Sequence, residues 1–253
     1  MTTISRKIII VCFMLSILIQ FNKSSLYASQ IITFGFAHKP STDPQYMFYK
    51  NIYTKAFNEL GYEFQYKVLP SKRSSLMLEN GMIDGEPQRI YNYETFYSNI
   101  VRVEESIFEN KTFAFAVNPK IYLIDINSLR NTKFRVDYLR GSKWSQNTLE
   151  PLVLSSNLTP VKSIENGFRK LIKNRTDIFI ALEVYAFNTL DKDEFKNSHI
   201  ISLGVMGSNM SYPYLHKSHA NISLKLADVL IKMKKDGSYN KILKESMPFM
   251  FNE

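Results

Sequence analysis

Apolar positions change their period along this 253-residue chain, and each change marks an element. Ile31–Phe36 reads as a strand. After a loop carrying Pro40 and Pro44, the residues Phe48, Ile52, Ala56 and Leu60 recur at helical spacing. That predicts a helix over Tyr46–Leu60, stopped by Gly61. Tyr62, Phe64, Tyr66 and Val68 alternate, so Tyr62–Leu69 is a predicted strand. A helix over Ser71–Asn80 ends at Gly81, and Met82–Ile83 begin a short strand. Asp84, Gly85, Glu86, Gln88 and Arg89 then fall at its carboxyl end, where open α/β sheets hold their ligands. This β-α-β-α-β run predicts a doubly wound, mainly parallel sheet.

A second unit follows the same grammar. Lys111–Val117 is a strand closed by Asn118-Pro119, Ser128-Leu129 start a short turn, and Phe134–Leu139 is a strand. Arg140 to Trp144 form a strand-to-helix turn. A helix spans Ser163–Asn174, and strands span Asp177–Leu182 and His199–Leu203. Ser211–Leu215 reads as a strand returning to the first unit. Leu226, Leu230 and Met233 mark an amphipathic helix over Leu224–Lys235, stopped by Asp236-Gly237, and Tyr239–Leu243 form a last turn. The second unit is therefore inserted in the first, with crossings near residues 115–119 and 207–213. The expected division is an export signal over 1–29, a first lobe over 30–117 and 208–253, and a second lobe over 118–207.

The amino-terminal pattern changes where the chain is expected to work. Arg6 and Lys7 precede an apolar run, Ile8 to Phe21, broken only by Ser16 and Gln20. Its length suits a secretory signal better than a membrane span, with cleavage expected after Ala28. An uncleaved anchor is the alternative. Cys12, the single cysteine, lies inside this run. The exported part, about 225 residues, is large enough for two modest cores. It carries no disulfide, thiolate metal site or cysteine nucleophile. Arg6, Lys7 and Lys23 leave with the signal, lowering the formal charge by three from +9. The remaining cations are scattered, as on solvated helix faces, so nucleic acid is not an expected partner. His216 and His219 are three apart, but His216 adjoins a predicted strand and no third ligand accompanies them. No metal or cofactor is expected. There is no Gly-x-Ser-x-Gly elbow, and the adjacent Glu104 and Glu105 point to opposite faces of a strand. The chemistry of an enzyme is not visible.

Several segments carry a resemblance. They are Pro70-Ser71-Lys72-Arg73-Ser74, Asn80-Gly81-Met82-Ile83-Asp84-Gly85, Arg140-Gly141-Ser142-Lys143-Trp144 and Glu165-Asn166-Gly167-Phe168 with Arg175-Thr176-Asp177. Tyr214 to His219 and Lys235-Asp236-Gly237-Ser238-Tyr239 continue the series. In order and spacing the chain resembles the bacterial extracellular solute-binding proteins of the amino-acid type, family 3. Within them it is similar to the divergent branch described only as a transporter substrate-binding domain. The resemblance covers nearly all of the chain past the signal. It implies two lobes of the periplasmic binding protein-like type II fold, joined by two hinge crossings and closing on a small solute. It also implies a periplasmic monomer that delivers its solute to a membrane transporter of the ABC type. A membrane sensor or signalling receptor as the partner is the alternative. One departure stands out. Amino-acid binders of this family follow the Asp-containing strand with Thr-x-x-Arg, whereas here Gly85-Glu86-Pro87-Gln88-Arg89 occupies the place.

The candidate ligand residues follow from this reading. Arg89 is the candidate carboxylate clamp, through two parallel charged hydrogen bonds, or else a structural partner of Glu86 or Glu94. Glu86 is a candidate for a ligand ammonium, or it holds Arg89. Arg73, at a helix start, is a further cleft candidate. Gly141, Ser142 and Lys143 supply a helix start whose N–H groups suit an anion. The resemblance implies that this turn takes the ligand carboxylate. Trp144 either walls an apolar or cationic ligand part or packs in the core. The resemblance also implies that Glu183, after the buried strand, holds an ammonium; a strand-end acid facing water is the alternative. Tyr46, with Phe36 and Tyr91, is a candidate for the mouth of the cleft. The expected ligand is a small polar, amino-acid-like solute, zwitterionic or anionic.

Overall fold

The computed structural model describes residues 30–251, so the expected export signal and Cys12 lie outside the described residues. The chain begins with β1 (Gln30–Phe36), α1 (Pro44–Glu59), β2 (Tyr62–Val68), α2 (Ser71–Glu79), β3 (Gly85–Arg89) and β4 (Ile100–Arg102). Next come β5 (Phe108–Ala116), β6 (Val136–Leu139), α3 (Lys143–Leu149), β7 (Leu158–Val161), α4 (Ile164–Ile172), β8 (Ile178–Leu182) and α5 (Glu183–Leu190). β9 (Ile201–His216), α6 (Ala220–Lys235) and α7 (Ser238–Ser246) complete the chain.

Alternation along the strands decides which helix covers which face. Ile32, Phe34 and Phe36 of β1 point toward α1 and join Phe48, Ile52, Tyr53 and Phe57 in one core. Phe34 alone touches the rings of Tyr53, Phe57 and Phe64 at centroid distances of 4.9, 5.5 and 5.4 Å. Each such buried ring contributes on the order of 1.5–3 kcal/mol. Gly35 faces the other way, toward α2, where a Cβ would lie 2.0 Å from Ser74 Oγ. The entry of α1 is set by Asp43, whose carboxylate accepts from the N–H groups of Gln45 and Tyr46, with Pro44 in the first turn. Farther along the sheet, Ala114, Ala116, Ile178 and Ile180 pack with Leu149 of α3 on one face. Phe115, Phe179 and Ala181 pack with Phe168 of α4 on the other.

The strand order is β2-β1-β3-β9-β5-β8-β6-β7, with β4 also on β9. β1 and β3 run parallel, as do β7, β6 and β8. β9 is antiparallel to β3, β4 and β5, and β8 is antiparallel to β5. The α/β class with helices on both sheet faces is therefore what the structure shows, parallel in the β1–β3 and β7–β6–β8 pairs and antiparallel wherever β5 or β9 pairs. Past Gln30 the described residues form one compact unit.

Three local readings are corrected. Met82–Ile83 do not begin a strand; a turn fills 81–84, with Gly81 at φ 66°. Asp84 closes it by accepting from the Thr33 N–H at 2.7 Å while its own N–H donates to the Thr33 carbonyl. β3 starts only at Gly85, so the polar cluster is the strand itself. The predicted strands His199–Leu203 and Ser211–Leu215 are one strand of 16 residues, whose glycines and polar residues had read as a break. The last turn, Tyr239–Leu243, is a full helix, α7; α5, which follows β8 without a loop, had no predicted counterpart.

Gly85→Ala tests the close packing beneath β3, because a Cβ there would lie 2.2 Å from the Phe34 ring. Urea unfolding is expected to show a loss of about 1–3 kcal/mol at unchanged slope. A change below about 0.5 kcal/mol, the ordinary surface range, would contradict it.

Candidate functional site

Strand geometry alone would separate Glu86 from Arg89, because residues three apart face opposite sides. A bulge brings them together. Glu86 pairs with Tyr214 and Arg89 with Tyr212, so three steps on β3 oppose two on β9. Pro87, which has no N–H to leave unpaired, sits at the slip, and its carbonyl accepts from the Tyr53 hydroxyl at 2.5 Å. The Glu86 side chain is 0% exposed and that of Arg89 18%. Arg89 Nε donates to Glu86 Oε2 at 2.8 Å and Nη2 to Oε1 at 2.6 Å. The Ser75 hydroxyl donates to Oε1 at 3.3 Å and contacts the Tyr93 hydroxyl, while the Tyr93 ring lies 5.1 Å from the guanidinium carbon. Burial opposes the charge on Arg89, but the Glu86 carboxylate outweighs it and holds the guanidinium above its ordinary range. No protein acceptor among the described residues takes Arg89 Nη1. Glu94, the other partner considered, instead binds Arg102 at 2.7 Å and the Tyr214 hydroxyl.

Tyr46 joins this group from α1. It is buried and packs on Phe36 and His38, its hydroxyl faces Gln88 and Arg89, and burial raises its pKa. Of the three aromatics expected at a mouth, Tyr46 and Phe36 are core, and only Tyr91 is exposed. Arg73 lies exposed on α2.

The remaining candidates stand elsewhere. Gly141, at φ 89°, makes the turn before α3, and Ser142 caps that helix by accepting from the Ser145 N–H at 3.3 Å. Lys143 is exposed. Trp144 packs over β9, where a Cβ on Gly207 would lie 2.3 Å from the indole. Glu183 is the first residue of α5, and its charged neighbours are Lys111 and Glu109, on the side of β5 opposite Asn110. The structure thus brings Arg89, Glu86 and Tyr46 together, and no described contact joins Trp144 or Glu183 to them.

Sequence reasoning missed a polar relay beside this group. The Tyr185 hydroxyl of α5 donates to Asp43 Oδ2 at 3.3 Å and to Gln45 Oε1 at 3.5 Å. Gln45 Nε2 donates to Asn110 Oδ1 at 2.8 Å, and Asn110 Nδ2 donates to Ser211 Oγ at 2.6 Å. The relay joins the start of α1 to β5, β9 and α5. Asp43-Pro44 was its visible signal, as a helix cap followed by a first-turn proline. His219 Nε2 lies 2.8 Å from Asp84 Oδ1, and His216 Nδ1 lies 2.8 Å from Ser218 Oγ.

Two predictions follow from these geometries. Arg89→Met leaves a buried carboxylate without its partner and is expected to cost about 3–5 kcal/mol in urea unfolding. Glu86→Leu/Arg89→Met is expected to recover much of that loss; a double variant no more stable than Arg89→Met would contradict the pairing. Burial pushes the Glu183 carboxyl above the ordinary glutamate range, with Lys111 opposing and Glu109 adding. A raised acid weakens folding as pH climbs above the unfolded value of about 4.3. Glu183→Gln is therefore expected to raise the urea midpoint at pH 7, the gain fading toward pH 4. A loss at pH 7 would mean that Lys111 holds the carboxylate.

No protein-family model matches the chain. An uncharacterized protein of Shewanella oneidensis is 35% identical over 218 residues, which cover 86% of this chain and 83% of that protein. Among solved structures, the L-cystine solute receptor of Neisseria gonorrhoeae in its unliganded open conformation is similar, with a TM-score of 0.67 at 13% identity. The match covers 87% of this chain and 93% of that one. A probable amino-acid ABC transporter extracellular-binding protein of Bacillus subtilis gives 0.66 at 14% identity, over 87% and 98%. A histidine kinase sensor domain with similarity to periplasmic binding proteins gives 0.60 at 11% identity, over 87% and 96%. These likenesses show the periplasmic binding protein-like fold.

Proposed function

The chain belongs to one family with the uncharacterized Shewanella oneidensis protein, and from that footing we propose that it is a periplasmic solute-binding protein. It captures a small zwitterionic or anionic solute between two lobes and hands it to a membrane transporter. The lobes are 30–117 with 208–253 and 118–207, and they hinge on β5 and β9. Export by the amino-terminal segment places it outside the cytoplasm. Among the described residues no helix is long and apolar enough to cross a membrane.

The observation that carries this reading is Arg89. Its Nε–Nη2 edge is held by a wholly buried carboxylate, and its Nη1 has no protein acceptor among the described residues. Glu86 therefore orients Arg89 rather than meeting the ligand itself. A charged hydrogen bond from Arg89 to a ligand carboxylate contributes about 1.5–3 kcal/mol. A micromolar affinity corresponds to about −8 kcal/mol, so other groups must supply the rest. The Gly141–Lys143 turn supplies further donors for the anion, and Trp144 an apolar wall. Closure, not bond chemistry, is the working event. A second reading, in which the closed form is presented to a membrane sensor, is favoured by the likeness to a histidine kinase sensor domain.

The chain from Gln30 is expected to gain about 2.7 kcal/mol of stability from its ligand at 100 times the dissociation constant. A thermal-shift screen over amino acids, small carboxylates, polyamines and sugars reads this gain. Emission from Trp144, the single tryptophan, reports on the second lobe independently. The hit should weaken at least tenfold in Arg89→Lys, which keeps the charge but not the fork. A hit unchanged by that substitution, or no shift across the library, would remove the reading.

A further inference from the structure

Six cationic side chains line one groove of the second unit, away from the Arg89 group. Arg140, Lys162, Arg169, Lys170, Lys173 and Arg175 surround a space of about 430 Å³ beside Pro160 and Val161. Two of the six are engaged. Arg169 donates to Glu194 at 2.6 and 2.8 Å. Lys170 Nζ lies 2.6 Å from Oδ2 of the buried Asp137, a charge contact without hydrogen-bond alignment. The other four, Arg140, Lys162, Lys173 and Arg175, are exposed, and among the described residues none has a carboxylate within 4.0 Å.

A solvated helix face does not explain this arrangement. The cations converge from the end of β6, the end of β7 and the far end of α4. The Arg140 N–H donates to the Val161 carbonyl at 2.8 Å, which ties the two strand ends together. Asn174, at φ 50°, and the Arg175 N–H bond to the Lys170 carbonyl fold the chain back after α4. Lysines in the last turn of a helix complement its dipole, which accounts for Lys173 at most. Lys162 stands before the first turn of α4, where the dipole disfavours a cation. Four unpaired like charges around one concavity repel, and a multivalent anion relieves that repulsion.

We propose that this groove binds a phosphate-bearing anion of two or more charges. Two guanidinium forks match phosphate oxygens, and two ammonium groups add compact charge. The phosphate comes either from a soluble polyphosphate or from an anionic phospholipid headgroup.

The test uses the chain from Gln30, with pyrophosphate followed by calorimetry and vesicles by co-sedimentation. Pyrophosphate is expected to bind at 50 mM NaCl and to weaken severalfold at 500 mM, as charge contacts are screened. Lys162→Glu/Arg175→Glu should lose at least tenfold, and Arg140→Gln/Lys173→Gln should also lose. Lys225→Glu/Lys241→Glu, which changes net charge equally on α6 and α7, should stay within twofold. Melting temperatures confirm that each variant folds. Binding to pyrophosphate alone assigns a soluble anion. Binding to phosphatidylglycerol vesicles but not phosphatidylcholine vesicles, with the same variant pattern, assigns the headgroup. Failure of both probes overturns the proposal. So does equal loss in the Lys225/Lys241 variant, or equal affinity for sulfate at matched ionic strength.

Discussion

Backbone hydrogen bonding along β9 is the constraint on which the sheet depends. This one strand pairs with β3, β4 and β5, and its ladder with β5 runs from Phe108–Ser211 to Ala116–Ile201. Buried N–H and C=O groups need partners, so the sheet cannot lose β9 without exposing unpaired edges on β3 and β5. The ladder slips twice, leaving Met206 and Leu203 of β9 without an opposite residue. Both join the core beneath α3, with Trp144 at its margin. Gly204 adopts φ 103° between the slips, a conformation that only glycine takes without strain. Gly207 then leaves room for the Trp144 ring. Side-chain packing thus decides where the backbone register yields.

The same trade governs β3. A carboxylate with no exposed surface is costly unless paired, and an arginine three residues away on a regular strand points to the wrong face. The bulge across Pro87 and Gln88 solves this locally, and the Tyr53 hydroxyl satisfies the Pro87 carbonyl that the slip displaces. The result is a neutral pair with a fixed guanidinium. On the proposed reading, a ligand anion meeting it gains geometry more than net charge, and cations on other elements balance its charge. Such a site differs physically from an isolated arginine clamp, which brings both fork and charge.

Element types were legible wherever periodicity was long. The apolar stripe Phe48, Ile52, Ala56, Leu60 predicted α1, and alternation predicted β2, while β1 and β8 read as short apolar strands. Legibility failed where side-chain capping or register overrode local preference. Asp84 imitates a strand partner through its carboxylate, which moved the start of β3 past Ile83. Gly204, Gly207, Ser208 and Asn209 look like a break, yet β5 supplies their ladder partners and keeps β9 continuous. Adjacency in one turn offered the Arg89–Glu86 pair only as one alternative, beside Glu94 for Arg89 and a ligand ammonium for Glu86. The cause of their pairing, a bulge, had its trace in a proline inside a strand. Tyr185 had no local signal, because its role comes from the packing of α5 against the start of α1.

Charge was the least legible property, for a reason that belongs to α/β geometry. The cations of the groove are spread over 36 positions, from Arg140 to Arg175, and read as scattered surface charge. Parallel strands bring their carboxyl ends side by side, so Arg140 after β6 and Lys162 after β7 become neighbours. α4 then runs back along the sheet for nine residues, roughly 13 Å, and places Lys173 and Arg175 at the other end of the same groove. Acids close in sequence are taken up by other partners: Glu165 by Lys192 and Asp177 by Arg135 away from the groove, and Glu194 by Arg169 on its lining. Which cations remain unpaired is therefore a property of the fold, and net charge counted along the chain does not contain it.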